Sequence, residues 1–134
     1  MDDLMLEPPL PPRLIPDGFT QTIRATANGK TIGSARWYAR PGQADGVVQL
    51  LDLSVTIEKS RQGLGGRLFN EVIAQSARYY KLRKSRLRRI WVMVDQKTQM
   101  NARAFMNDHG FHHVASVPNL LSNQDALIYS LAVD

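Results

Sequence analysis

The fold of this 134-residue chain turns on the stretch Leu53-Ser54-Val55-Thr56-Ile57-Glu58-Lys59-Ser60-Arg61-Gln62-Gly63-Leu64-Gly65-Gly66-Arg67-Leu68. Its first residues close the run Val47 to Ile57, in which Val47, Val48, Leu50, Leu51, Leu53, Val55 and Ile57 are apolar. That density suits a strand covered on both faces. Its last residues open a helical pattern, with Leu64, Leu68, Val72, Ala77 and Tyr80 on or near one stripe. Between the two, Gly63, Gly65 and Gly66 leave backbone amides uncovered where a strand becomes a helix. The first turn of a helix carries unpaired N–H groups and the positive end of the dipole, so such a place suits phosphate. The same glycines would also serve tight turning and close packing of helix on sheet. Two familiar phosphate fingerprints are not met: Leu68 occupies the last glycine position of G-x-G-x-x-G, and no Gly-Lys-Ser/Thr follows.

Towards the N-terminus, Phe19 to Ala27 alternates and is rich in Thr and Ile, Asn28-Gly29 is a tight-turn dipeptide, and Thr31 to Ala39 resumes the alternation. This reads as a β-hairpin. Further out, five of the seven prolines fall between Pro8 and Pro16, which excludes regular helix and predicts an extended polyproline arm over residues 1–18 ahead of a single domain, 19–134. Towards the C-terminus, Ile90 to Val94 is a second buried strand, Gln99 to Asp108 a short helix, Phe111 to Val117 a strand and Leu127 to Val133 a terminal strand. The order is β-β-β-α-β-α-β-β. A helical crossover joins strands 47–57 and 90–94, so those two should be parallel neighbours in a mixed sheet.

Composition narrows the chemistry. The chain has no cysteine, which removes disulfides, thiolate zinc sites and cysteine nucleophiles. Three clustered histidines, His109, His112 and His113, do not make a metal cage by themselves, and no metal is expected. No apolar run reaches the roughly 20 residues a membrane span needs, and Met1-Asp2-Asp3 lacks a basic leader, so a soluble cytoplasmic protein is expected.

Read together, the flanks and the loop resemble the acetyl-CoA signature of the GNAT superfamily of N-acyltransferases, in which a strand leads through an Arg/Gln-x-x-Gly-x-Gly/Ala loop into a helix. A second block, Asn101-Ala102-Arg103-Ala104-Phe105-Met106-Asn107-Asp108-His109-Gly110-Phe111, is similar to the family's later helix that begins with Asn and ends at a Gly-Phe turn. The resemblance covers roughly Phe19 to Val133. It implies an α/β (α+β) fold: a mixed, mostly antiparallel sheet with a central, splayed parallel pair, flanking helices, and truncated N-terminal helices. It implies that the amides from Arg61 through Gln62, Gly63, Leu64, Gly65 and Gly66 hold the CoA pyrophosphate, with Arg61 and Arg67 adding charge. Backbone groups of Leu53 and Val55 would pair with the pantetheine arm, Asn101 would contact that arm, and Arg103 would reach the phosphates. The activity implied is transfer of an acetyl group from acetyl-CoA to a primary amine by direct attack in a ternary complex.

Three positions depart from the family pattern. Ser60 stands where Arg or Gln is usual, Met106 where a proton-donating Tyr is common, and Gln49 where some members place a Glu as base. Asp52 is then the carboxylate nearest in sequence to the splay, either a base or a satisfied strand residue, and the Val55 amide is the candidate oxyanion donor. The family's two front helices, which wall the acceptor site, have no counterpart ahead of Phe19, so the cleft is expected to be open or completed by a second copy in a homodimer. The alternative reading is a CoA-binding regulator without turnover.

Arg78 to Arg89 holds seven positive residues and no acid, whereas the whole chain carries +5, leaving the rest at −2. With Tyr79 and Tyr80 the segment could grip nucleic acid or an acidic partner, or steer CoA; equally it reads as a solvated helix end whose cations suit the helix C-terminus. Nucleic acid is the lesser expectation.

Overall fold

A computed structural model describes residues 4–8, 20–40, 45–56, 63–95, 105–121 and 124–133. The elements are β1 (Leu4–Leu6), β2 (Thr20–Ala27), β3 (Lys30–Ala39), β4 (Val47–Val55), α1 (Leu64–Leu82), β5 (Arg89–Asp95), β6 (His112–Leu121) and β7 (Gln124–Ala132), with a helical turn over residues 105–108. One seven-stranded sheet runs in the order β1-β2-β3-β4-β5-β7-β6. Every neighbouring pair is antiparallel except β4 and β5.

The expected hairpin is β2 and β3, turned by Asn28 (φ +52) and Gly29 (φ +79). Left-handed backbone at both positions is what a two-residue turn matched to strand twist requires. The apolar period of α1 buries Leu64, Leu68, Phe69, Val72, Tyr79 and Tyr80 against Ile23, Trp37, Val48 and Ile90 of the sheet. Two polar side chains join that face: Ser76 Oγ donates to the Val72 carbonyl at 2.6 Å, and Gln75 Nε2 donates to Glu71 at 3.1 Å. α1 ends in a Schellman pattern, with Ser85 N bonded to Tyr80 O, Lys84 N to Lys81 O, and Lys84 in left-handed backbone at φ +58.

Several boundaries differ from the sequence reading. β4 is not covered on both faces: Val48 and Leu50 are buried beneath α1, while Val47, Gln49 and Leu51 are half-exposed on the other side. Strand β6 continues past Pro118, because it is the sheet's edge and a missing N–H there costs no ladder bond. Strand β7 starts at Gln124, ahead of the expected Leu127. Three residues of the proline-rich arm, Leu4–Leu6, form β1 on the opposite edge, a strand too short to show alternation. The prolines from Pro9 to Pro16 and the start of the expected helix at Gln99 lie outside the described residues.

Candidate functional site

The parallel pair β4 and β5 is joined only at Val47↔Arg89, Val48↔Ile90 and Gln49↔Trp91. Beyond that point the strands diverge, and residues 50–55 of one and 92–95 of the other no longer pair. The cause is local. Arg36 opposes Asp52 while Trp37 opposes Leu50, so Leu51 is an extra residue that bulges β4 and turns it away. The gap is a cleft of about 400 Å³, walled by Leu51, Asp52 and Leu53 on one side and by Val92, Met93 and Val94 on the other, with Phe105 and Met106 at its base.

Antiparallel ladders alternate between bonded and non-bonded pairs. Thr56 N bonds Ile32 O at 2.9 Å, and Val55 and Leu53 sit opposite Gly33 and Ala35. Counting back from the bonded pair, the N–H and C=O groups of Val55 and Leu53 face away from β3, into the splay. The expected strand-like partners are thus on the open edge.

At the same end of the sheet, Gly63 is the N-cap of α1 in left-handed backbone (φ +74), with no side-chain cap and no acid in the first turn. The first helical bond runs from Arg67 N to Gly63 O at 3.1 Å, leaving the amides of Leu64, Gly65 and Gly66 ahead of it. An uncapped helix start of this kind leaves amide donors and the positive end of the dipole facing outward. A Cβ on Gly65 would lie 3.6 Å from the Phe105 ring and 3.7 Å from Leu53, and one on Gly66 would lie 3.5 Å from the His109 ring, all ordinary contacts, so packing on these rings does not itself require glycine. Arg67 is exposed beside the turn, and the Leu64 side chain is core. Arg61, Gln62, Asn101 and Arg103 lie outside the described residues.

Asp52 lies at the cleft, and its Oδ2 accepts from Arg36 Nε at 2.6 Å, both side chains being partly exposed. Met106, only 5% exposed, fills the base and can donate no proton. Gln49 sits at the last paired position, facing away from α1. His109 packs on Phe105 with ring centroids 4.3 Å apart and meets Phe69 edge-on at 5.2 Å. The exposed ring of His113 contacts Ser116 Oγ at 2.9 Å.

The basic segment falls elsewhere. It begins in the last turns of α1, a helix of 19 residues and so about 28 Å long, and lies at the opposite end of the sheet from the cleft. It is built into the fold there: Arg88 N and Arg89 N both donate to Gly46 O, Arg88 Nε donates to Asp45 O at 2.7 Å, and Arg89 donates to Ser130 Oγ at 2.8 Å. Tyr79 and Tyr80 are fully buried, so neither can stack on a base. The Arg83 guanidinium covers the Tyr79 ring at 3.7 Å, and the Tyr80 hydroxyl donates to Val47 O at 2.9 Å. Burial, helped by the Asp45 charge, pushes the Tyr80 hydroxyl up to about 12.

No family model matches the chain, and no curated protein matches it. Solved structures do. A GNAT-family protein of Desulfovibrio desulfuricans superposes with a TM-score of 0.72 at 23% identity, covering 87% of this chain and 71% of that one. An Escherichia coli N-acetyltransferase acting on an alanine of a ribosomal protein gives 0.66 at 22% identity, over 86% of this chain and 70% of its own. An IAA acetyltransferase from Bacillus cereus gives 0.71 at 13% identity, over 98% of this chain and 100% of that one. Splay, bulge, glycine-started helix and strand order together give this chain the fold of the GNAT acetyltransferases.

Proposed function

We propose that the chain is an acyl-CoA-dependent N-acyltransferase that moves an acetyl group from acetyl-CoA to a primary amine. The observation that carries this is the alignment of the β4–β5 cleft with the uncapped start of α1. A diphosphate suits the amides of Gly63 to Gly66, and an amide-bearing arm suits the outward backbone groups of Leu53 and Val55. The thioester supplies an activated acyl carbon. The amine nitrogen bonds to that carbon, the carbon–sulfur bond breaks, the Val55 N–H is the donor for the developing oxyanion, and the thiolate takes its proton from water, since Met106 has none to give. Asp52 keeps Oδ1 to accept the amine's proton, directly or through a water, while Arg36 holds Oδ2. No covalent enzyme intermediate is required, in keeping with a chain lacking cysteine.

The residues at the Tyr and Glu positions of the family, Met106 and Gln49, support a second reading: a CoA-binding protein of the same fold that does not turn over. Titration calorimetry with CoA, followed by thiol release from acetyl-CoA across an amine panel, separates the two. Binding with release supports the enzyme; binding with no release on any amine supports the regulator; no CoA binding refutes both.

A further inference from the structure

One row of side chains crosses the middle of the sheet on the face away from α1. Register places Tyr38 beside Gln49 and Gln49 beside Trp91. Their neighbours Trp37, Val48 and Ile90 are buried towards the helix, so these three point the other way. With Arg40, Asp45 and Val47 they line a cavity of about 300 Å³. Its polar chemistry is specific. The Gln49 amide, the Tyr38 hydroxyl and the Trp91 indole N–H have no hydrogen-bond partner among the described residues. The Asp45 carboxylate, by contrast, is already engaged: Oδ1 accepts from Val47 N at 3.2 Å and Oδ2 faces Arg40 at 3.7 Å. Arg88 and Arg89 lie at the same end, on Asp45 O and Ser130 Oγ.

Such a pocket offers two aromatic walls and an uncharged donor–acceptor pair at its floor, beside the paired Arg40 and Asp45. It suits a planar, neutral group with both an N–H and a C=O, which is the peptide unit. It also sits directly below the splay. From Gln49 to Asp52 along the bulged strand is about 7–10 Å, or two to three residues of extended chain.

Resting on the acyl-transfer reading above, we propose that the acceptor is a polypeptide: its amine enters the splay while a peptide group two or three residues along lies between Tyr38 and Trp91 and bonds to Gln49. Polyamines, which have no amide to bond Gln49, are the contrasting acceptors.

The chain's two tryptophans make the test independent of turnover. Trp37 is fully buried and Trp91 lines the pocket, so acrylamide quenching reports on Trp91. A tetrapeptide amide of serine, alanine and glycine with a free N-terminus is titrated against the full chain, with spermidine as comparison. The expected result is at least a twofold fall in quenching slope with the peptide and none with spermidine, loss of the quenchable component in Trp91→Phe, and loss of peptide protection in Gln49→Leu at unchanged CoA affinity. Protection by spermidine equal to that by peptide, or no protection by peptide, overturns the proposal. CoA binding without peptide protection sinks this inference alone, whereas peptide protection in a chain that binds no CoA leaves the peptide pocket standing and removes the acyl-transfer reading.

Discussion

Alanine at Gly46 should be among the most damaging single-methyl additions among the described residues. Gly46 has φ +76, and a Cβ there would collide with the Arg86 carbonyl oxygen and lie 3.1 Å from Arg88 N and 3.2 Å from Arg88 Cγ. Gly29 has nearly the same backbone, φ +79, with nothing within 4 Å of the added carbon. Left-handed backbone costs an L-residue about 1–2 kcal/mol at either site, so the difference between the two variants isolates the contact. Relieving it means lifting residues 86–88 off Gly46, whose carbonyl accepts Arg88 N at 2.7 Å and Arg89 N at 3.1 Å. Losing both bonds adds about 2–3 kcal/mol at about 1 kcal/mol or slightly more each. Gly29→Ala should therefore cost about 1–2 kcal/mol and Gly46→Ala about 3–5 kcal/mol on these two terms together. Urea unfolding followed by tryptophan fluorescence, with equal m-values, measures both. Agreement of the two variants within about 0.5 kcal/mol would refute the argument that the 86–89 segment is locked down through Gly46.

Lys84→Gly should raise stability by about 0.5–1 kcal/mol, since Lys84 occupies the left-handed position of the Schellman pattern that glycine favours; a lower melting temperature would contradict this. Tyr80→Phe should cost about 1–2 kcal/mol through the lost bond to Val47 O. Because the folded hydroxyl titrates at about 12 against 10 unfolded, its contribution is complete below pH 10 and falls as pH rises to 12. That slope, about 1.4 kcal/mol per pH unit, should be missing from the phenylalanine variant in alkaline unfolding curves. Asp52→Asn should change stability by less than about 1 kcal/mol, as its ion pair with Arg36 is partly exposed. On the acyl-transfer reading it should lower kcat about 10²–10⁴-fold at unchanged CoA affinity; unaltered turnover would assign Asp52 to the strand alone.

The candidate site was legible in part. Asn28-Gly29, the apolar stripe of α1 and the glycines at 63, 65 and 66 announce themselves because turn chemistry and helical period act within a few residues. The neighbours of Gly65 and Gly66 were less visible, since Phe105 and His109 reach them from some 40 residues away in sequence. The basic run was legible only in part for the same reason. Its charge is evident, but its place at the far end of α1 and the burial of Tyr79 and Tyr80 depend on what α1 packs against.

By itself the sequence determined the hairpin, the long helix and the parallel crossover, all consequences of local period, turn residues and crossover handedness, but not the short edge strand Leu4–Leu6. Tertiary structure alone decided where β4 stops pairing with β5, because the bulge at Leu51 exists only relative to Arg36 and Trp37 on another strand. It also decided that Tyr38, Gln49 and Trp91, far apart in the chain, form one row on the open face. Register between strands is a non-local quantity, set by the summed packing of the whole sheet on α1, and it turns a recognisable loop into a cleft with a pocket beside it.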